Sequence, residues 1–245
     1  MSKISAITTA LAAVMIVLAA VGSLCGQTVQ IAHDPAFYSA ESISAVADTL
    51  NVTATAGQTL KVEAYIGMTH EEQNAFAEDI TSFMKGETDA QPAVLNEKEQ
   101  QHMLDVRALV SLAQKTSQFC TMLAAALAVV VAWTSAGRKK PVLLGVFIGL
   151  GVLVFTALGA ALALRSGGFA ALFVRFHEIF FTNDLWLLNP DTDILIRMMP
   201  QLLFERAAMD VLKKGTAAFA VTGAMLAVVY AVFGGMIRRH LTERD

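Results

Sequence analysis

The sequence predicts a mainly α-helical integral membrane protein with four transmembrane helices and a small extracytoplasmic α+β cap. Of its 245 residues, 55% are hydrophobic and only 16% are charged, and the mean hydropathy is +0.55. Four apolar runs are typical of helices that cross the roughly 30 Å hydrocarbon layer of a membrane. A long segment of mixed polarity follows the first run, which indicates a folded part outside the lipid.

The edges of the apolar runs divide the chain into six parts. They are a first transmembrane helix at 4–25, an extracytoplasmic cap and membrane-entry helix at 26–118, a second transmembrane helix at 119–134, a third at 141–164, an extracytoplasmic aromatic-rich site segment at 165–214 and a fourth transmembrane helix at 216–237. The first run could instead be a cleaved signal peptide, with the small residues 20–22 as a cleavage site. We interpret it as a retained span.

The cap combines a strand pattern with a helix pattern. Residues 60–66 alternate between apolar and polar side chains, as in a half-buried strand, and Val29–Ile31 offer a shorter partner strand. Thr69 and Glu72 then have the spacing of a capping box, which predicts the start of an amphipathic helix that ends near Gly86.

Basic residues predict the orientation of the chain in a cell membrane. Lys3, the loop Arg138–Lys140 and the pair Arg238–Arg239 flank the spans and should be cytoplasmic, so both termini should be inside. The segments 26–118 and 165–214 then share the outer face. The formal net charge of −3 is too small to indicate a nucleic-acid partner.

Two histidines are the best candidates for chemistry. Histidine exchanges protons near neutral pH, and His102 and His177 are both predicted near the outer membrane boundary, each with an acidic residue close by. Two interfacial histidines with ordinary hydrogen bonds would fit the pattern equally well. A metal site with a carboxylate as a further ligand has suitable residue types but no local ligand spacing. Cys25 and Cys120 have no metal-like spacing either, and we predict no metal and no cofactor.

Aromatic side chains are interleaved with polar ones between residues 169 and 204. Phe169 and Phe173 are typical of a belt at the lipid headgroups. The other rings of this stretch favour the wall of a pocket for acyl chains: Phe176, Phe180, Phe181 and Trp186. Further along, Asp193 and Arg197 are four residues apart and could form an ion pair.

Two motifs and their order resemble a known family. One motif is HMxDV at 102–106, preceded by Glu99, and the other is FHxxFF at 176–181. The resemblance continues through Asn183, Trp186, Pro190, Asp193, Leu195, Ile196, Pro200 and Phe204. Together these segments resemble the family of four-span membrane proteins that includes the lipoprotein intramolecular transacylase.

The resemblance implies an outer-leaflet acyltransferase. Such an enzyme moves the sn-2 acyl chain of a diacylglyceryl-modified lipoprotein onto the α-amino group of its N-terminal cysteine, which gives a lyso-form lipoprotein. Its partners are lipoproteins and membrane lipid. The two catalytic histidines of the family map onto His102 and His177. The expected substrate-binding residues are Asp105, Phe176, Phe180, Phe181, Asn183, Trp186 and Asp193.

The residues agree with this chemistry but leave two other classes open. Because amine and ester lie on one substrate molecule, the enzyme needs no serine or cysteine nucleophile, and the sequence has no GxSxG motif. A non-catalytic subunit or chaperone of an envelope complex would have the same topology without a proton-transfer pair. A metal-dependent membrane hydrolase would be inactivated by a chelator.

Overall fold

A computed structural model describes residues 2–43, 53–54, 58–59, 66–135 and 138–242. Within these residues, six α-helices have both ends described, together with a 3₁₀ turn at Pro35–Tyr38 and a two-stranded hairpin. The helices are α1 (Lys3–Ala32), α2 (His70–Lys85), α3 (Glu97–Ser135), α4 (Lys139–Phe180), α5 (Ile194–Met198) and α6 (Gln201–Thr242). The antiparallel hairpin pairs β1 (Thr53–Ala54) with β2 (Gln58–Thr59).

Four helical segments are long and apolar enough to span a membrane, and they confirm the predicted mainly α-helical protein with four transmembrane helices. The candidate spans are Lys3–Ala32, Glu97–Ser135, Lys139–Gly159 and Gln201–Ile237. Most of these helices continue beyond the apolar runs in the sequence, because a helix ends only where its backbone geometry or hydrogen bonding is interrupted and not where its polarity changes. The chain is therefore a multi-pass membrane protein.

The strand prediction for the cap was wrong at its first partner. Val29–Ile31 lie in the last turns of α1, since no proline follows the apolar run until Pro35. Residues 60–65 of the other predicted strand lie outside the described part of the chain. Ile66, its last residue, is helical and fully buried, and the strand pairs that are described lie upstream at β1 and β2.

The helices contribute to two compact units. One unit comprises residues 1–27, 113–166 and 212–245, and the other comprises 28–112 and 167–211. In the first unit α4 packs against α1 at Gly145 and Gly149, where an added Cβ atom would meet α1 within 3 Å. The hydroxyl of Thr9 on α1 also donates to the carbonyl of Pro141 at 3.0 Å.

The second unit is built around α2. The Thr69 backbone N–H donates to Glu72 Oε2 at 2.7 Å, and the Glu72 backbone N–H donates to Thr69 Oγ1 at 3.3 Å, so the predicted capping box is present. Gly86 ends the helix with a left-handed φ of 78°. The inward face of α2 forms the core of the unit through four side chains that are at most 4% exposed: Phe76, Ile80, Phe83 and Met84.

Candidate active site

The two histidines singled out in the sequence face each other in the second unit. His102 lies in the second turn of α3, and His177 lies in the last turn of α4. Their ring centroids are 6.1 Å apart and the ring planes are inclined by 32°. Only 6% of His102 and 7% of His177 is exposed. At this separation the ring nitrogens do not hydrogen-bond each other directly.

A buried carboxylate fixes the start of α3, one turn before His102. Asn96 caps the helix: the Glu99 backbone N–H donates to Asn96 Oδ1 at 3.0 Å, and the Asn96 N–H donates to Glu99 Oε2 at 2.8 Å. Glu99 Oε1 accepts from the backbone N–H of Leu195 at 2.6 Å, at the start of α5. Through these bonds the Glu99 carboxylate contacts the N-termini of both α3 and α5, where a negative charge is favourable. Glu99 is only 1% exposed.

Asp193 ties the loop after α4 to the same helix start. Its Oδ1 accepts from Asn96 Nδ2 at 3.1 Å and from the Thr192 hydroxyl at 3.0 Å, and its Oδ2 accepts from the Asn189 N–H at 2.8 Å. The Lys98 ammonium lies 3.7 Å away. Burial raises the pKa of Asp193, but these donors outweigh it and the pKa lies below its usual value. Both oxygens of the carboxylate that we expected to bind substrate thus accept hydrogen bonds from the protein itself.

The ion pair expected between Asp193 and Arg197 does not form. Asp193 stands immediately before α5 and its carboxylate is directed at Asn189, away from the next helical turn that carries Arg197. Among the described residues its nearest cation is Lys98, and the buried Nε of Arg197 has no hydrogen-bond partner. Local spacing on a helix gave the wrong partner because the backbone turns at Asp193.

Aromatic rings surround His177 on several sides. Measured between ring centroids, Trp186 is 4.9 Å away, Phe181 5.3 Å and Phe176 5.4 Å. Phe181 also lies edge-on to His102, at 5.2 Å, so it contacts both histidines. Phe180 packs on Phe176 and remains 51% exposed. The predicted pocket rings thus group around His177, with Phe180 on the outside.

Phe173 belongs to this site, although its position in the sequence suggested a lipid belt. Its ring centroid lies 4.3 Å from that of His177 and 5.5 Å from that of Phe204. Its backbone carbonyl lies 2.7 Å from His177 Nδ1. Phe173 precedes His177 by four residues, and this helical spacing was the one signal that could have predicted the contact.

The bond to Phe173 fixes the tautomer of His177. A carbonyl oxygen can only accept, so Nδ1 carries the proton, and Nε2 of the neutral ring keeps a free lone pair. Burial lowers the pKa of His177, an effect that the bond to Phe173 partly opposes. The ring is therefore neutral at neutral pH and presents one proton acceptor, Nε2.

His102 has a buried nitrogen without a partner and a carboxylate one turn away. Its Nδ1 is buried and makes no hydrogen bond with the described residues. Asp105 follows on the same side of α3, and its Oδ2 accepts from Asn183 Nδ2 at 2.9 Å. Glu178, the acidic neighbour of His177 in sequence, instead pairs with Arg175 at 2.6 Å on the surface.

A cavity of about 280 Å³ opens beside Phe181, on the Asp105 side of the histidine pair. Its polar wall consists of Asp105, Thr182 and Asn183, and its apolar wall comes from α3 and the end of α4. The apolar residues are Ala108, Leu109, Leu112, Phe180 and Phe181. The cavity thus has a carboxylate near one histidine and an apolar surface that continues along α3.

Metal-ligand geometry is absent from the described part of the chain, where no group of three or more His, Cys, Asp or Glu side chains is arranged to hold an ion. Within that part, His102 and His177 have aromatic rings and backbone as their immediate neighbours. Such surroundings suit proton transfer between a buried histidine pair and a lipid substrate.

Fold and site together define a multi-pass membrane protein with a buried histidine pair. The structure is similar to the membrane-integral lipoprotein intramolecular transacylase Lit from Bacillus cereus, with a TM-score of 0.64 and 20% identity, over 91% of this chain and 95% of that one. Single-residue variants of the same protein match with a TM-score of 0.65 and 17% identity. A comparison with curated protein sequences gives no match.

The family model of the lipoprotein intramolecular transacylase Lit matches residues 37–204. The chain therefore belongs to this family, and it is an acyltransferase that acts on lipoprotein at the membrane. The matched range includes both histidines and the aromatic segment after α4. Membership sets aside the non-catalytic subunit that the sequence left open.

Proposed function

We propose that this transacylase moves the sn-2 acyl chain of a diacylglyceryl-modified lipoprotein onto the α-amino group of the lipoprotein's N-terminal cysteine, with His102 and His177 as acid/base catalysts. The observation that carries the proposal is the pair itself: two buried rings from different helices stand 6.1 Å apart with a free acceptor on one of them. The reaction joins two groups of one substrate molecule, so it requires placement and proton transfer but no enzyme nucleophile.

The first step frees the attacking amine. The α-amino group of a peptide has a pKa of about 8 and is largely an ammonium ion at neutral pH. His102 takes one proton from this ammonium, and Asp105 one helical turn away stabilises the imidazolium that results. The neutral amine then attacks the sn-2 ester carbonyl and forms a tetrahedral intermediate.

The second step transfers a proton from the attacking nitrogen to the leaving oxygen. His177 Nε2 accepts the second amine proton as the C–N bond forms, and it gives this proton to the glyceryl oxygen as the C–O bond breaks. The ester becomes an amide and the glyceryl oxygen becomes a hydroxyl. His102 finally releases its proton to water, so both rings return to their starting states.

The aromatic rings orient the lipid. Correct orientation of two reacting groups can contribute about 7 to 11 kcal/mol, more than a single proton transfer. Trp186, Phe176 and Phe181 enclose His177 and present apolar surface to the acyl chains and glyceryl carbons. The same rings exclude water, which would otherwise compete with the amine for the ester.

Basic residues support a site on the outer face. Lys3 and the connection Arg138–Lys140 belong on the cytoplasmic side by the positive-inside rule. Because α3 and α4 follow each other through that connection, we expect the first turns of α3 and the last turns of α4 on the opposite side of the membrane. These are the turns that carry His102 and His177.

Glutamine substitutions of the two histidines test the proposal. Purified wild-type protein, incubated with a synthetic diacylglyceryl lipopeptide, should form the N-acyl product, and His177→Gln or His102→Gln should each slow it by about 10² to 10⁴ fold. His70→Gln, on an exposed turn of α2, is the matched control and should retain the wild-type rate. Near-wild-type rates in both site variants would contradict the two-histidine mechanism.

A further inference from the structure

The cavity beside the histidine pair contains a carboxylate without a cation. Asp105 accepts one hydrogen bond, from Asn183, and forms no ion pair with any Lys or Arg in the described part of the chain. The bond to Asn183 fixes the carboxylate without neutralising it. A half-buried negative charge held in this way is complementary to a cationic group of a ligand.

An apolar strip leads away from this charge along α3. Ala108, Leu109 and Leu112 follow Asp105 at intervals of three, four and seven residues, so they lie on the same side of the helix. The strip is roughly 10 Å long at 1.5 Å per residue, and the ring of Phe180 forms its opposite wall. Leu112 at the far end is 56% exposed.

We propose that this cavity binds the substrate's α-ammonium at Asp105 and its sn-2 acyl chain along Ala108, Leu109 and Leu112, an inference that rests on the proposed function. The ammonium supplies the charge that Asp105 lacks. The attacked carbonyl must come within about 3 to 3.5 Å of the amine, so the chain attached to it enters the strip at the Asp105 end.

This arrangement lets the transferred chain stay where it is. Before the reaction the chain is joined to the glyceryl oxygen, and afterwards it is joined to the nitrogen held at Asp105. Both bonds meet at the polar end of the strip, so only the glyceryl group has to move away. The strip consequently determines which sn-2 chains are transferred, and Ala108, the smallest side chain in it, determines how deep a chain can enter.

Chain-length selectivity tests the proposal. Substrates with a palmitoyl chain at sn-1 and either an octanoyl or a palmitoyl chain at sn-2 would be compared with purified enzyme. Ala108→Trp should lower the palmitoyl-to-octanoyl ratio of kcat/KM by about tenfold or more, because lost contacts with several methylenes weaken long chains most. Leu104→Trp, at a 44% exposed position on α3 outside the cavity, should change this ratio by less than about twofold.

Asp105→Asn tests the polar end separately. It keeps the size of the side chain but removes the charge, so KM should rise about tenfold for both substrates, with the chain-length ratio unchanged. A wild-type KM in this variant would overturn the assignment of the ammonium to Asp105.

Three outcomes separate the inference from the function on which it rests. If wild-type enzyme forms no amide with either substrate, the proposed function fails. If wild-type enzyme transfers the chain while Ala108→Trp keeps the wild-type ratio, only the strip assignment fails. A third substrate, with octanoyl at sn-1 and palmitoyl at sn-2, tests the retained chain. If Ala108→Trp changes the selectivity for the length of the sn-1 chain and not for that of the sn-2 chain, the strip binds the retained chain and the proposal is wrong. Leu112→Trp, at an exposed position, gives the same test should Ala108→Trp not fold.

Discussion

At the scale of single residues, the two ring nitrogens of His177 differ in their hydrogen bonding. Its Nδ1 proton is bound to the Phe173 carbonyl, which leaves Nε2 as the only acceptor on the neutral ring. Burial among Phe173, Phe181 and Trp186 disfavours the charged ring and lowers the pKa of His177. In the proposed mechanism, this neutral ring accepts the amine proton and then gives it up to the leaving oxygen.

The pH dependence of the transfer step reports on this burial. Because the folded-state pKa of His177 lies below the ordinary value of about 6.5, the ring stays neutral as the pH falls through 6.5 and becomes protonated only at lower pH. We expect the single-turnover rate to hold at pH 6.5 and to fall below it. Trp186→Ala, which exposes the ring, should move the decline to higher pH.

The free energy of unfolding should decrease with falling pH, as the transfer rate does. Below pH 6.5 the unfolded chain binds a proton at His177 before the folded chain does, so the free energy of unfolding decreases as the pH falls through this window.

His102 faces His177 and its titration adds to the rate profile, so the comparison with Trp186→Ala identifies the part due to His177. A wild-type rate that declines above pH 6.5 would contradict the lowered pKa.

At the scale of elements, a single glycine interrupts the helical backbone geometry of α4. Gly168 has φ 68° and ψ −179°, a combination that is essentially restricted to glycine, and it kinks the helix before the turns that carry Phe173 and His177. His177 follows nine residues later, so the segment that carries it begins with a backbone conformation that other residues rarely adopt.

Gly168→Ala should damage the site through the backbone alone. An alanine at this φ and ψ costs on the order of 1 to 3 kcal/mol, so we expect a lower thermal midpoint in detergent, reduced transacylation, or both. Gly159→Ala on the same helix is the control, because nothing lies within 4 Å of its added Cβ. Equal stability and activity of both variants would show that the kink is dispensable.

The elements also show what a sequence can reveal. Local signals sufficed for the apolar spans, for the Thr69–Glu72 capping box and for the family motifs, since each depends on neighbours within a turn or on hydropathy. The partners of Asp193 could not be predicted, because Asn96 and Lys98 reach it only through the folded chain. Asn96-x-x-Glu99 carried a readable capping signal, but its link to Leu195 depends on tertiary packing.

At the scale of the whole molecule, long helices join the spans to the site. At 1.5 Å per residue the 39 residues of α3 extend to about 58 Å, well beyond a hydrocarbon layer of roughly 30 Å. The N-terminal turns of α3 and the C-terminal turns of α4 hold the two histidines, and the segment after α4 supplies Phe181, Asn183 and Trp186. In the proposed function, a lipid substrate keeps its chains in apolar surroundings while its amine reaches polar groups.

The central claim is that an acyl chain moves from ester to amine within one molecule. Such a transfer leaves the mass of the lipopeptide unchanged, so the chain has to be located by tandem mass spectrometry. The most direct measurement incubates the purified protein with two lipopeptides of different peptide sequence, one of which carries a deuterated sn-2 chain. We predict that each peptide acquires only its own chain on the N-terminal nitrogen, and that His177→Gln slows formation of the product by about 10² to 10⁴ fold.

Labelled chains on the other peptide would contradict this account, because they would require transfer between molecules. An amine that stays free in the wild-type reaction, while its glyceryl ester is lost to water, would contradict it as well, because the histidine pair would then serve hydrolysis.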